Sequence, residues 1–443
     1  MSFWYKYALF LMLFASTRGY TQAIFRSKSD SIKYRKVIAT IAQQLDANPR
    51  NNVEDLLRLA ETYIVKNIPR YKKGHYTFYE DLTISNRPDT IKHVGLYNLK
   101  IRRIPREVLQ CKNLVELDIS SCKIKKLPKA LNELQSLETL AVNKSKLKKL
   151  KIRFAQNTSV KELVLTHNNF RRIPQSIKKF KCLEYLNISG NKVSRVPKFL
   201  GQCQNLTTLN LSYNKVRNNA IELMSNPIVK SLNLSHNKLN DIPFSLSTFY
   251  NLEELDLSYN NLRSISKALL NKKLRVLSLY NNQLDHVPAS ILTLSNLQTL
   301  DLDFNEIKSL PPDIVKLKNL TNFAISNNNL TVLPDAFELR KLKILYLKSN
   351  QLTTLPYSLS RVPLKEVHLE FNKLNNIPQA ILESETIVEL YISNNLISKL
   401  PIELLEMKNL RVLHFGRNFI TDLSDDVEMI VKELSERGGE IKY

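Results

Sequence analysis

The sequence predicts an α/β solenoid of about fifteen stacked coils, each giving one short strand, with helical caps at both ends. Three observations predict it. One frame of 22–23 residues recurs from residue 91 to 423. Leucine and asparagine supply 73 and 44 of the 443 residues, against only 8 glycines. Within each frame apolar and polar residues alternate over a few positions, the period of a strand with one buried side. No two glycines are spaced Gly-x-Gly, and no Gly-x-x-x-x-Gly-Lys-Ser/Thr occurs, so phosphate-cradling loops are excluded. A hydrophobic share of 43% also excludes a disordered polycation.

Residues 1–23 read as a signal peptide. Lys6 precedes an apolar run from Tyr7 to Ala15, and Thr21-Gln22-Ala23 offers small side chains at −3 and −1 of a cleavage site. The run is about ten residues, against the roughly twenty needed to span a bilayer. The competing reading is the uncleaved N-terminus of a cytoplasmic protein. Residues 24–90 are expected to form a helical N-terminal cap region. Ile32, Ile38, Ile41 and Leu45 keep helical spacing, as do Val53, Leu56, Leu57, Ala60 and Ile64, and Pro49 separates the two runs. The stretch from Tyr71 to Tyr79 is expected to lead irregularly into the first coil.

The solenoid proper is placed at 91–423. The segment 252–262, LEELDLSYNNL, shows the unit in Leu252, Leu255, Leu257, Asn260 and Leu262. Fifteen copies begin at residues from Ile91 to Leu410, 23 apart except for three spacings of 22. The fourth and sixth positions face inward from a short strand. The ninth is Asn in twelve copies, and an amide with two donors and an acceptor can satisfy backbone groups where the chain turns. Proline fills the fifteenth position in eleven copies, which suits an extended or 3₁₀ return. Residues 424–443 are expected to form a C-terminal capping helix on Val427, Ile430, Val431 and Leu434, capped by Ser424 and stopped by Gly438-Gly439.

These motifs resemble the leucine-rich repeat superfamily, in the short form with Leu-Pro after the asparagine. They are similar to bacterial repeat proteins and to the intracellular Ras-suppressor and plant Ras-group-related proteins. The resemblance covers about three quarters of the chain. It implies a horseshoe with a concave parallel β-sheet, in which each coil buries its apolar side only against its neighbours. The cysteine-rich caps of animal extracellular members are missing, which points to a bacterial protein. Cys111, Cys122, Cys182 and Cys203 are too sparse for a disulfide framework and are expected to be buried single thiols.

Alternation assigns the fifth and seventh positions to the concave face. From Asn187 and Ser189 these columns at first read almost uniformly Asn and Ser, the repeat's default. In the second half they turn aromatic and charged, and Tyr280, Asp301, Asp303, Tyr346, Lys348, His368, Glu370, Tyr391 and His414 are the expected partner-binding residues. Asp301 and Asp303 are within the separation of paired catalytic carboxylates, but an open sheet is expected to leave them solvated and ordinary. The histidines at 368 and 414 lie two strands apart, about 10 Å, too far to share one zinc. No metal and no cofactor are expected.

The net charge of +24 is uneven. Residues 1–200 hold 39 basic and 15 acidic side chains, while the remainder holds 26 of each. Arg102, Arg103, Lys123, Lys125, Lys126, Lys146, Lys148, Lys149, Arg171 and Arg172 recur at positions ten, twelve and thirteen, forming a stripe on one flank. Such a stripe attracts polyanions, or serves only to solubilise.

The chain is therefore expected to be a non-enzymatic, exported, bacterial recognition protein with a protein partner. The alternatives are an electrostatic binder of anionic surface polymers and a cytoplasmic signalling scaffold. Trp4 is the sole tryptophan. The native protein, if processed at residue 23, should show tyrosine-type emission only; tryptophan emission from it would overturn cleavage.

Overall fold

The computed structural model describes residues 77–78, 88–150, 159–218, 228–241, 248–265, 271–420 and 425–442. The segment 1–23, the helices expected within 30–66 and Ser424 lie outside the described residues.

Every coil delivers one strand to a single sheet of seventeen described strands, paired in parallel in chain order. Strands β1 (Thr77–Phe78), β2 (His93–Tyr97), β3 (Glu116–Ser120) and β4 (Thr139–Asn143) open it. Three-residue strands follow: β5 (Glu162–Val164), β6 (Tyr185–Asn187), β7 (Thr208–Asn210), β8 (Ser231–Asn233) and β9 (Glu254–Asp256). Then come β10 (Val276–Ser278), β11 (Thr299–Asp301), β12 (Asn322–Ala324) and β13 (Ile344–Tyr346). The last are β14 (Glu366–His368), β15 (Glu389–Tyr391), β16 (Val412–His414) and β17 (Glu440–Lys442). Fourth- and sixth-position residues of all fifteen coils are buried, from Val94 and Leu96 to Leu413 and Phe415. Burying each such side chain stabilises by about 1.5–3 kcal/mol.

Both ends carry one strand more than the frame predicts. Thr77–Phe78 pairs with β2, so the stretch before the first coil is not wholly irregular. Helix α1 (Asp425–Glu436) buries Val427, Ile430 and Leu434, with Val431 half-buried against the core. The chain then turns at Gly438-Gly439 and adds β17 beside β16. Gly439 is required there: a Cβ would meet the carbonyl oxygens of Arg411 and Leu434 at 2.7 and 2.8 Å.

The prolines act as expected. Pro128, Pro174, Pro197, Pro311, Pro356 and Pro401 each precede a five-residue 3₁₀ turn, with extended backbone at the proline. Of the cysteines, Cys111, Cys122 and Cys203 are buried thiols, and burial raises their pKa values. Cys182 departs from expectation and is exposed, because it precedes the buried first position of its coil at the turn out of the 3₁₀ return.

The ninth-position asparagines form a continuous ladder from Asn168 to Asn418. At Asn260, Oδ1 accepts the Leu239 amide of the preceding coil at 3.0 Å. Its Nδ2 donates to the carbonyls of Leu234, Leu257 and Ser258 at 3.0, 3.0 and 3.2 Å. The residue before each corner is left-handed in every described coil, for example Asn98, Tyr213, Phe304 and Arg417 at φ 57°, 52°, 56° and 57°, with Gly190 at 64°. Asn and Gly reach this region most readily.

Replacing Asn260 by Ala leaves a buried amide and several carbonyls unsatisfied, and should cost about 3 kcal/mol in urea unfolding. Asn261→Ala, at the exposed neighbouring position, should change stability by less than about 0.5 kcal/mol. Equal effects from both would remove the ladder as the cause.

Candidate binding surface of the concave sheet

The register stacks the fifth positions directly. Asp301 pairs with Ala324, Ala324 with Tyr346, Tyr346 with His368, His368 with Tyr391 and Tyr391 with His414. All nine expected partner-binding residues belong to this sheet or the turn after it, but they do not form one surface.

On β6–β9 and β11 the fifth-position side chain turns back on its own backbone. The Oδ1 atoms of Asn187, Asn210, Asn233, Asp256 and Asp301 accept the seventh-position amides at 2.9–3.0 Å. Asp301 and Asp303 are accordingly 3% and 1% exposed, contrary to the expected solvated patch. Asp303 accepts the Ser326 amide of the next coil. Burial, only partly offset by these bonds, pushes the Asp303 carboxyl up to about 7. Burial and the adjacent Asp303 raise Asp301 well above the carboxylate range, and burial raises Asp256. The alternation gave the side of the sheet correctly and the solvation wrongly, because it says nothing of a side chain folding back onto an amide.

From β13 onward Asx-type capping gives way to rings and charges. Tyr346 packs on Ala324, is 1% exposed, and donates its hydroxyl to Glu366 Oε1 at 2.9 Å. His368 Nε2 lies 2.8 Å from the same Glu366 oxygen, and its Nδ1 lies 3.4 Å from Glu370. Burial alone would lower the His368 pKa, but the two carboxylates outweigh it and hold the imidazole above its usual value. Glu370 is held low by His368 and Lys348 against the opposing effect of burial. Lys348 lies 3.9 Å from Glu370 and sits over the Phe371 ring at 5.3 Å. His368 stacks on Tyr391 at 4.2 Å, and Tyr391 donates to Glu389 at 2.7 Å; burial and Glu389 raise its pKa. His414 meets the Tyr391 ring edge-on and lies 3.5 Å from Glu440; burial and Lys442 lower its pKa.

Tyr346 and His368 thus support this surface from beneath, because the small Ala324 leaves room for Tyr346 to lie flat. Lys348, Glu370, Tyr391 and His414 are the half-buried members that reach solvent. Tyr280 leaves the concave face altogether: its ring inserts between Tyr259 and Phe304, at 5.2 and 5.1 Å, in a column along the left-handed corner. Glu366 and Glu389 were missed by the sequence reading, although the alternation that assigned positions five and seven extends to position three. Phe304 and Phe371, at 44% and 46% exposed, were missed because the corner positions have no polarity period. Among the described residues no three metal-ligating side chains converge.

The basic stripe is where the frame places it. Arg102, Arg103, Lys123, Lys125, Lys126, Lys146, Lys148, Lys149, Arg171 and Arg172 are all exposed.

Asp301, Asp303 and His368 all hold their protons more tightly folded than unfolded. Their contribution should therefore be present in mild acid and be lost as pH rises through the Asp303 value of about 7 and the raised His368 value, while His236, lowered to about 4, and the lowered His414 oppose it below pH 6.5. The melting temperature should drop between about pH 6.5 and 8, and Asp303→Asn should flatten that drop. An unchanged slope in the variant would show that the carboxyl is ionised in the fold.

The solved structures with this architecture include a leucine-rich repeat protein of Leptospira interrogans. It is 30% identical over 83% of this chain and 100% of that one, with a TM-score of 0.69. The Arabidopsis receptor kinase HAESA, solved with the peptide hormone IDA and a co-receptor, is 23% identical over 78% of this chain and 60% of its own, at 0.55. The functional domain of InlJ from Listeria monocytogenes is 18% identical over 74% of each chain, at 0.54. The latter two share the fold alone. No match is found among curated proteins. A model described as a leucine-rich repeat region matches residues 228–355, and further leucine-rich repeat models match 113–134, 135–193, 202–225 and 385–427. With repeat models along most of the solenoid and a full-length relative at 30% identity, the chain belongs to the leucine-rich repeat proteins.

Proposed function

We propose that this chain is a non-enzymatic recognition protein that binds a protein partner on the concave face of its second half. One observation carries the reading: from β13 onward the sheet abandons its amide-capping Asn and Asp for rings and paired charges. Lys348, Tyr391 and His414 reach solvent there, and Phe371 stands exposed beside them. A fixed network of charges beneath a few accessible aromatic and cationic groups is the preorganisation that interface hot spots use. The carboxylate pair weighed for catalysis is occupied by backbone amides, which supports binding over chemistry. The receptor kinase HAESA, which shares the fold, was solved in complex with a peptide hormone. Export from a bacterial cell is part of the proposal, supported by residues 1–23 and by the Leptospira relative's origin.

The test uses a double variant, Lys348→Ala with Phe371→Asn. Asn suits the left-handed backbone of residue 371 (φ 56°), so folding should be kept. Affinity for the partner recovered from the source organism by the native chain should fall at least tenfold. Undiminished affinity would overturn the placement on this face.

A further inference from the structure

A second surface lies outside the concave sheet, on the corner side of the middle coils. Tyr213, His236 and Tyr259 occupy three successive left-handed corners at φ 52°, 51° and 52°. Other coils place Asn98, Asn281, Asn327 and Asn394 there, or single rings in His167, Phe304 and Phe371; three rings in succession occur at these coils alone. The rings stack face to face, with centroids 3.8 and 3.9 Å apart and planes within 13° and 14°. They border an open groove of about 600 Å³, together with Lys215, Lys238 and the edge of the asparagine ladder.

The lysines belong to a column of their own. Tenth positions read Lys100, Lys123, Lys146, Lys192, Lys215 and Lys238, interrupted once by Asn169, and then become Asn261 and Gln283. Backbone bonds stack them in register: the Lys192, Lys215 and Lys238 amides donate to Phe170, Val193 and Val216 of the preceding coils at 2.8, 2.8 and 2.9 Å. Lys215 and Lys238 are exposed, and among the described residues no carboxylate lines the groove. His236 adds a buried Nε2 with no hydrogen-bond partner among the described residues. Burial holds that imidazole neutral, at about 4, so it can serve either hydrogen-bonding role near neutral pH.

We propose that this groove binds an extended acidic peptide segment, its carboxylates on Lys215 and Lys238 and its backbone along the Tyr213–His236–Tyr259 column. Two features favour a peptide over a nucleic acid or a glycan. The inner ring faces cover one another, so bases and sugars find few open faces to stack on. What stacked rings leave outward are their edges, which carry the positive end of the quadrupole and suit carboxylate and carbonyl oxygens. The site is independent of the concave face proposed above, since its rings and lysines lie on the coils beginning at Leu206, Val229 and Leu252, and that face lies on the coils from Leu342 onward.

The test is fluorescence anisotropy of the full chain with a labelled decapeptide of alternating Glu and Ala, at low and at physiological salt. A Lys-Ala decapeptide, inorganic polyphosphate and an oligothymidylate are run in parallel. Saturable binding of the Glu-Ala peptide alone is expected, weakened at least tenfold by Lys215→Glu with Lys238→Glu. Tyr213→Asn with Tyr259→Asn keeps the net charge and suits the corner backbone, and should weaken it at least fivefold without lowering the melting temperature. Binding unchanged by the tyrosine pair, or polyphosphate or the oligonucleotide bound as tightly as the peptide, would overturn the proposal in favour of a generic polyanion surface. Neither pair should alter capture at the concave face, so failure here and failure there are distinguishable.

Discussion

Each corner asparagine makes four hydrogen bonds, and the rest of the solenoid depends on them. A coil of 22–23 residues cannot bury its own apolar side, so it must find its neighbour in one register only. The ladder enforces that register: the amide of one coil accepts from the eleventh-position N–H of the coil before and donates to its sixth-position carbonyl, as Asn214 does with Val193 and Ile188 at 2.9 and 3.0 Å. Its remaining donor bonds hold its own coil's turn closed, while the left-handed residue before it belongs to the coil itself, since Asn98, Ser121 and Lys144 adopt it where the amide is missing. Coils one to three lack the amide; Cys122 reaches the Leu96 carbonyl of the preceding coil only weakly, through sulfur at 3.5 Å, and Ser145 bonds only within its own coil. Those are also the coils with five-residue strands β2–β4. There backbone pairing extends where side-chain pairing is missing.

A second constraint follows at the strand end. Once pairing stops at the fifth position, the seventh-position amide needs an acceptor. Asn or Asp at the fifth position supplies it on β6–β9 and β11, so the Asn/Ser run there is a structural solution. Coils that give up this cap are free to place rings and charges on the sheet, but each buried charge must then find a partner. His368 with Glu366 and Glu370 is the result, with Tyr391 on Glu389 and His414 beside Glu440 repeating the arrangement on the next strands. The accessible surface is thereby fixed before any partner arrives.

The fold was legible because a solenoid is nearly one-dimensional: Leu252, Leu255, Leu257 and Asn260 state a period, and the period states which residues are inside. The same alternation put Tyr346 and His368 on the correct face. It did not reveal that Ala324 makes space for Tyr346 to be buried, nor that Asp301 and Asp303 turn back onto amides, since both depend on neighbours in other coils. Tyr280 was misplaced for a different reason. Its backbone belongs to the concave column, but Asn281 leaves a gap between Tyr259 and Phe304 that its ring fills. The corner column itself escaped notice because it is defined by a backbone conformation, whose only trace in the sequence is the recurrence of Asn98, Asn281, Asn327, Asn394 and Gly190 at one place in the frame.

The stacking that makes a solenoid also makes its surfaces separable. Each repeat position becomes a column running the length of the molecule, and neighbouring columns touch at few places, as where Tyr280 reaches Tyr259 and Phe304 and where Lys348 lies over Phe371. Residues that do not touch and share no partners contribute nearly independently to stability and binding. The concave fifth and seventh positions can therefore specialise in the second half while the tenth-position lysines specialise in the first, with neither disturbing the ladder between them. In this chain the two meet only at the middle coils, where the lysine column ends beside the rings of Tyr213, His236 and Tyr259. Clustered lysines and clustered rings are thus carried by different columns, and only the shared ladder must be kept for both.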